Sequence, residues 1–117
     1  MASELQVILE AHKRFTKERE WDQFQNPKNL SIALSVEASE LAEVFMWLTE
    51  KQCTALNEKQ LQAASEEMAD VFMYLLRIAD VLGIDLVKAT HEKMKKNIEK
   101  YSIERGKSLA KGIMDLQ

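Results

Sequence analysis

The sequence has one cysteine, one proline and three glycines in 117 residues, and aromatic side chains make up only 7% of it. Cys53 alone cannot form an intrachain disulfide, and no cysteine or histidine stands at metal-ligand spacing from it, so a disulfide scaffold and a thiolate metal site are excluded. A reducing, cytoplasmic setting is expected. Few glycines and prolines mean few helix breakers, and with 46% apolar and 30% charged residues the composition is that of a helix-rich globule. The longest strongly apolar stretch, around Val71 to Leu76, is far shorter than the roughly 20 residues of a membrane-spanning helix, so no membrane partner is expected. Residues 1–10 place Glu4 and Glu10 among apolar side chains, so no signal peptide is expected. Basic residues are not in surplus: 16 Lys and Arg against 19 Asp and Glu give a net charge of -3. That balance offers no general attraction to a nucleic-acid polymer, and any nucleotide partner is a small one.

What the chain does have is helical period. One domain, residues 1–117, is the reading that fits the length. Ser3 and Gln6 have the form of a capping box, and Leu5, Ile8, His12 and Phe15 recur at three- and four-residue steps, predicting a helix from about Ala2 to Arg19. Glu20 to Lys28, with Trp21, Phe24 and Pro27, reads as a loop. Asn29 is a candidate cap for a second helix to about Leu48, Asn57 for a third ending at Gly83, and Asp85 for a fourth through about Tyr101. Gly106 and Gly112 interrupt a Lys-rich tail, residues 102–117, expected to be less regular. The fold class is therefore all-α, an antiparallel four-helix bundle. From Met68 to Leu82 the third helix is apolar nearly all round, which calls for partners on most faces. Either the tail covers the remaining face or the chain assembles as a homo-oligomer, the more economical solution.

The chemistry is carried by carboxylates. Glu37 and Glu40 on the second helix, and Glu67 and Asp70 on the third, are pairs three residues apart and project from one face. Acidic pairs commonly mean a solvated surface, but these four lie within apolar sectors: Glu37 and Glu40 between Leu34, Leu41 and Val36, and Glu67 and Asp70 beside Val71 and Ile78. Four inward carboxylates are costly and mutually repulsive unless a cation joins them. An all-oxygen set suits magnesium or manganese, and magnesium is commonly bound together with phosphates. A di-iron site would require Glu-x-x-His pairs, yet Leu9 and Lys88 stand three residues before His12 and His91. On the fourth helix Lys93, Lys96, Asn97, Lys100 and Tyr101 are spaced to meet phosphates, although lysines near a helix C-terminus are commonly solvated. His12, Trp47 and Tyr74 are compatible with core positions. Trp47 and Tyr74 leave the acids in opposite directions if their helices are antiparallel, so either one of them stacks on a base or a second subunit supplies the other.

These residues resemble the all-alpha nucleoside triphosphate pyrophosphatases of the MazG-like superfamily, especially its dCTP pyrophosphatase branch. The resemblance spans about Leu5 to Tyr101. It rests on Glu37-Ala38-Ser39-Glu40 and Glu67-Met68-Ala69-Asp70, and on the strings Phe15 to Trp21, Pro27 to Leu30, Lys93 to Asn97 and Lys100-Tyr101. It implies hydrolysis of a nucleoside triphosphate between its alpha and beta phosphates, with magnesium on the four acids. It also implies that His12, Trp21, Trp47, Tyr74 and Asn97 surround base and sugar, that Lys93 faces phosphates, and that the chains form dimers or dimers of dimers. Glu37 or Glu40 is expected to orient or deprotonate the attacking water, Lys93 and Lys96 to stabilise developing charge, and Tyr101 to join the substrate contacts. Related substrates, dUTP-like or phosphoribosyl nucleotides, and a non-catalytic helical adaptor are the alternatives.

Overall fold

A computed structural model describes residues 2–117, and among these it contains six α-helices, one short 3-10 turn and no strand. The helices are α1 (Glu4–Glu18), α2 (Pro27–Phe45), α3 (Glu50–Cys53), α4 (Glu58–Leu82), α5 (Leu86–Lys100) and α6 (Ile103–Asp115), with the 3-10 turn at Asp22–Phe24 before α2. Among the described residues no helix is long and apolar enough to cross a membrane. The chain divides into two compact units, Met1–Ile84 and Asp85–Gln117.

Side-chain caps set most of the boundaries. Ser3, Asn57 and Asp85 accept the amide hydrogens of Gln6, Gln60 and Lys88, each cap contributing about 1 kcal/mol. The second helix starts earlier than the sequence suggested. Asn26, not Asn29, is its cap, accepting from the Asn29 amide at 2.9 Å, and Pro27 occupies the first turn. There proline's missing N–H removes no bond, because the first amides of a helix have no intrahelical acceptor. The same helix stops at Phe45 rather than Leu48, and Thr49 and Gln52 form a reciprocal capping box on the short α3. The tail is more regular than expected. Ser102 caps α6, and Gly106 and Gly112 sit within it, their cost of about 1 kcal/mol each being insufficient to interrupt the helix.

In the first unit α4 packs against both α2 and α1. Leu30, Ala64, Leu76 and Ala79 are its buried apolar residues. Small alanines on α4 let a neighbouring helix approach closely, while Leu30, 2% exposed, supplies bulk; burial of such a side chain stabilises by about 1.5–3 kcal/mol. Three pairs join α1 to α4: His12 with Tyr74, Thr16 with Arg77, and Lys13 with Asp80. In the second unit, α5 and α6 are joined through Tyr101, whose ring lies 5.3 Å from Lys100 Nζ and 5.6 Å from the Arg105 guanidinium carbon.

Candidate active site

The packing of α2 on α4 brings three of the four acids together. Glu37, Glu67 and Asp70 each offer one carboxylate oxygen, and these atoms lie within 4.8 Å of one another. All three residues are half-buried. The Oε2 atoms of Glu37 and Glu67 are buried with no hydrogen-bond partner. Glu40 is half-buried too and stands outside that trio, though close enough to raise both Glu37 and Glu67.

Glu37 is pushed up to about 7, first by burial, then by the hydrogen bonds its protonated form makes with Glu67 and Glu40, and by the charges of Glu40 and Asp70. Burial likewise raises Glu67, with Glu40 and Asp70 adding to the effect. A proton is one way to relieve such crowding. A divalent cation is the other, and the donor set fits it. Opposite oxygens around an ion held at about 2.1–2.4 Å stand about 4–5 Å apart, a span matching the trio, and the two orphaned oxygens are the atoms such an ion would satisfy.

Next to the acids a cavity of about 410 Å³ opens between α1 and α4, lined by Ile8, Ala11, His12, Phe15, Asp70, Met73 and Tyr74. Asp70 therefore belongs to the carboxylate trio and to the cavity wall. Tyr74 follows it by one turn and meets the His12 ring edge-on at 6.1 Å, while His12 stacks on Phe15 at 6.5 Å. Burial and then the Arg77 charge hold His12 below its ordinary value, and its Nδ1 is buried without a partner. Burial, with Glu37 and Asp70, raises the Tyr74 hydroxyl.

Trp21 reaches this group from beyond the end of α1, its ring edge-on to Phe15 at 5.7 Å. The turn that carries it is a helix-terminating motif: Trp21 N–H donates to the Thr16 carbonyl at 2.8 Å and Glu20 N–H to that of Lys17 at 3.0 Å. Glu20 takes the left-handed conformation, φ 58°, that this motif requires. The Arg19 guanidinium covers the Phe15 ring at 3.8 Å.

The sequence matches the MazG-like family over residues 32–116. This chain belongs to the MazG-like family. It is 36% identical to rat (Rattus norvegicus) dCTP pyrophosphatase 1 and 34% identical to the human (Homo sapiens) protein of that name, in each case over 114 residues that cover 96% of this chain and 67% of the relative. A crystal structure of a pyrophosphatase from Archaeoglobus fulgidus DSM 4304 is similar at a TM-score of 0.80 and 33% identity, covering 87% of this chain and 95% of that one.

The other residues singled out in this MazG-like chain are distributed as follows. Trp47 lies just beyond the end of α2, 86% exposed, and is not among the cavity's lining residues. Lys93, Lys96 and Asn97 lie on α5 and Tyr101 at its end, all within the second unit. Lys93 and Lys96 are exposed and Asn97 is half-buried, its carbonyl accepting the Tyr101 amide at 2.8 Å. Four cavity residues had drawn no functional reading: Ile8, Ala11, Phe15 and Met73. Ile8 and Phe15 share the helical stripe of His12, and Phe15 opens one of the strings that carry the resemblance, whereas Ala11 and Met73 carry no chemistry that a sequence would flag.

Proposed function

We propose that this nucleoside triphosphate pyrophosphatase is magnesium-dependent and converts dCTP or a related deoxynucleotide to the monophosphate and pyrophosphate, as part of cytoplasmic nucleotide-pool upkeep. The observation that carries the reading is the double membership of Asp70, which joins a hard-cation ligand set to a cavity with aromatic walls. A triphosphate coordinated at the acids would have its base within reach of those walls. The relatives named for dCTP favour a cytosine base and a deoxyribose.

Glu37, Glu40, Glu67 and Asp70 are the proposed metal ligands, for magnesium or, in its place, manganese. A bound divalent ion supplies a lowered water pKa and neutralises triphosphate charge. Glu37 or Glu40 accepts the proton of a water whose oxygen forms a bond to the alpha phosphorus. The bond from that phosphorus to the alpha-beta bridging oxygen breaks, and pyrophosphate leaves. Lys93 and Lys96 are assigned to the phosphates, where their charge stabilises the transition state. His12, Trp21, Trp47, Tyr74, Asn97 and Tyr101 are assigned to base and sugar. Met68 and Phe72 on α4, 58% and 39% exposed, support assembly into a homodimer or a dimer of dimers, within which the antiparallel four-helix bundle would be completed.

The test is a panel of ribo- and deoxynucleoside triphosphates with magnesium, scoring monophosphate and pyrophosphate. Preference for deoxycytidine triphosphate is the expected result. Preference for a uracil or phosphoribosyl substrate would move the chain to another branch, and orthophosphate release would reject the bond assigned. Binding without turnover on any substrate would support the adaptor reading instead. Glu40→Ala and Asp70→Ala are expected to lose activity and keep a helical circular-dichroism spectrum.

A further inference from the structure

Among the described residues two polar or charged residues are buried, Thr16 on α1 at 2% exposure and Arg77 on α4 at 6%, and they are bonded to each other. Arg77 Nη1 donates to Thr16 Oγ1 at 3.3 Å. The Thr16 hydroxyl in turn donates to the Lys13 carbonyl at 3.0 Å, and the Thr16 carbonyl accepts the Trp21 amide. Thr16 is thus the node at which α4, the body of α1 and the turn bearing Trp21 meet. His12 precedes Thr16 by four residues and Tyr74 precedes Arg77 by three, so one helical turn separates the node from the pair that faces across the cavity. Neither Thr16 nor Arg77 lines that cavity.

A buried guanidinium is a costly way to hold two helices together. No carboxylate pairs with Arg77 among the described residues, its Nε has no partner, and apolar residues of similar volume commonly stabilise such positions as well or better. What an apolar contact lacks is direction. Greasy faces tolerate sliding, whereas a planar guanidinium bonded to one hydroxyl accepts one register.

We propose that Arg77, acting through Thr16, is a positioning residue for nucleotide binding: it fixes the register of α1 on α4 and so the placement of His12 and Trp21 relative to Tyr74. The proposal rests on the reading of the cavity as the nucleotide site. Its effect is on substrate affinity rather than on the chemical step, because the node is tied to the aromatic walls and not to Glu37, Glu67 or Asp70.

Thr16→Val keeps the β-branched shape and removes the hydroxyl, and Thr16→Ser restores it. With the preferred nucleotide, Thr16→Val is expected to raise KM five- to twentyfold with kcat within twofold of the parent, and Thr16→Ser to return KM to within twofold. A second measurement needs no nucleotide: in a Trp47→Phe background Trp21 is the sole tryptophan, and Thr16→Val is expected to at least double its quenching by acrylamide while Thr16→Ser does not. A folded Thr16→Val protein with unchanged KM and unchanged Trp21 quenching overturns the proposal, as does a loss in kcat that matches the loss in kcat/KM. If Thr16→Val does not fold, Arg77→Met is read by the same criteria for KM, kcat and Trp21 quenching. A parent protein that turns over no nucleotide defeats the functional reading alone, since Trp21 quenching still decides the register.

Discussion

Glu37 on α2 and Glu67 on α4 both turn a buried, unpartnered Oε2 atom into the space between their helices. With Asp70 they make a trio, and Glu40 stands outside it. Magnesium titrations followed by calorimetry should reflect that difference. Glu37→Gln, Glu67→Gln and Asp70→Asn are expected to weaken binding at least tenfold each, and Glu40→Gln by a smaller factor. Equal losses at all four positions would place Glu40 in the inner set.

The same crowding sets a pH dependence. Glu37 moves from an ordinary 4.5 in the unfolded chain to about 7 in the folded one. A carboxyl raised on folding contributes stability that is whole below about 4.5 and is lost as pH rises through about 7. Glu67 is shifted in the same direction. His12, held below its usual 6.5, acts in the opposite sense and fades as pH rises past that value, so the carboxyl effect dominates above it. In chelator the melting temperature is expected to fall between pH 6.5 and 8.5, and Glu37→Gln to flatten the slope. Magnesium should reverse it, because the ion binds the ionised carboxylates. A melting temperature in chelator that rises over this interval would show that the acids do not crowd one another.

Gly83 and Glu20 close α4 and α1 with the same hydrogen-bond pattern and nearly the same φ, 67° and 58°. Glycine adopts that conformation without strain, whereas a side chain there costs about 1–2 kcal/mol. Allowing for the greater freedom of glycine in the unfolded chain, Glu20→Gly is expected to stabilise the protein by about 0.5–1 kcal/mol in urea unfolding. Destabilisation would mean that the Glu20 side chain holds the turn in some other way.

Trp47 is nearly fully exposed, and a surface change away from the core ordinarily alters stability by no more than about 0.5 kcal/mol. Trp47→Ala is therefore expected to leave the unfolding midpoint in place while raising KM several-fold for the preferred nucleotide. An unchanged KM would remove Trp47 from the site and leave base stacking to the residues of the cavity.

Much of the fold was legible because local signals wrote it. Ser3, Asn57 and Asp85 cap where their side chains accept amides a turn ahead, and Gly83 stops α4 because it alone enters the left-handed region without strain. Pro27 misled because one residue type both ends helices and begins them, and only the Asn26 cap decides which. Gly106 and Gly112 misled in the other direction, since a weak helix former flanked by good ones still folds into the helix.

By itself the sequence determined the existence of α1, α2, α4 and α5, the two acidic pairs and the stripe that carries His12, since period and residue chemistry are local properties of a chain. Tertiary structure alone decided that Glu37, Glu67 and Asp70 converge while Glu40 stands aside, that Asp70 also walls a cavity with Phe15 and Met73, and that Thr16 meets Arg77. Those relations depend on the register of one helix against another. Register is fixed by packing between residues far apart in the chain, and no spacing along a single helix contains it.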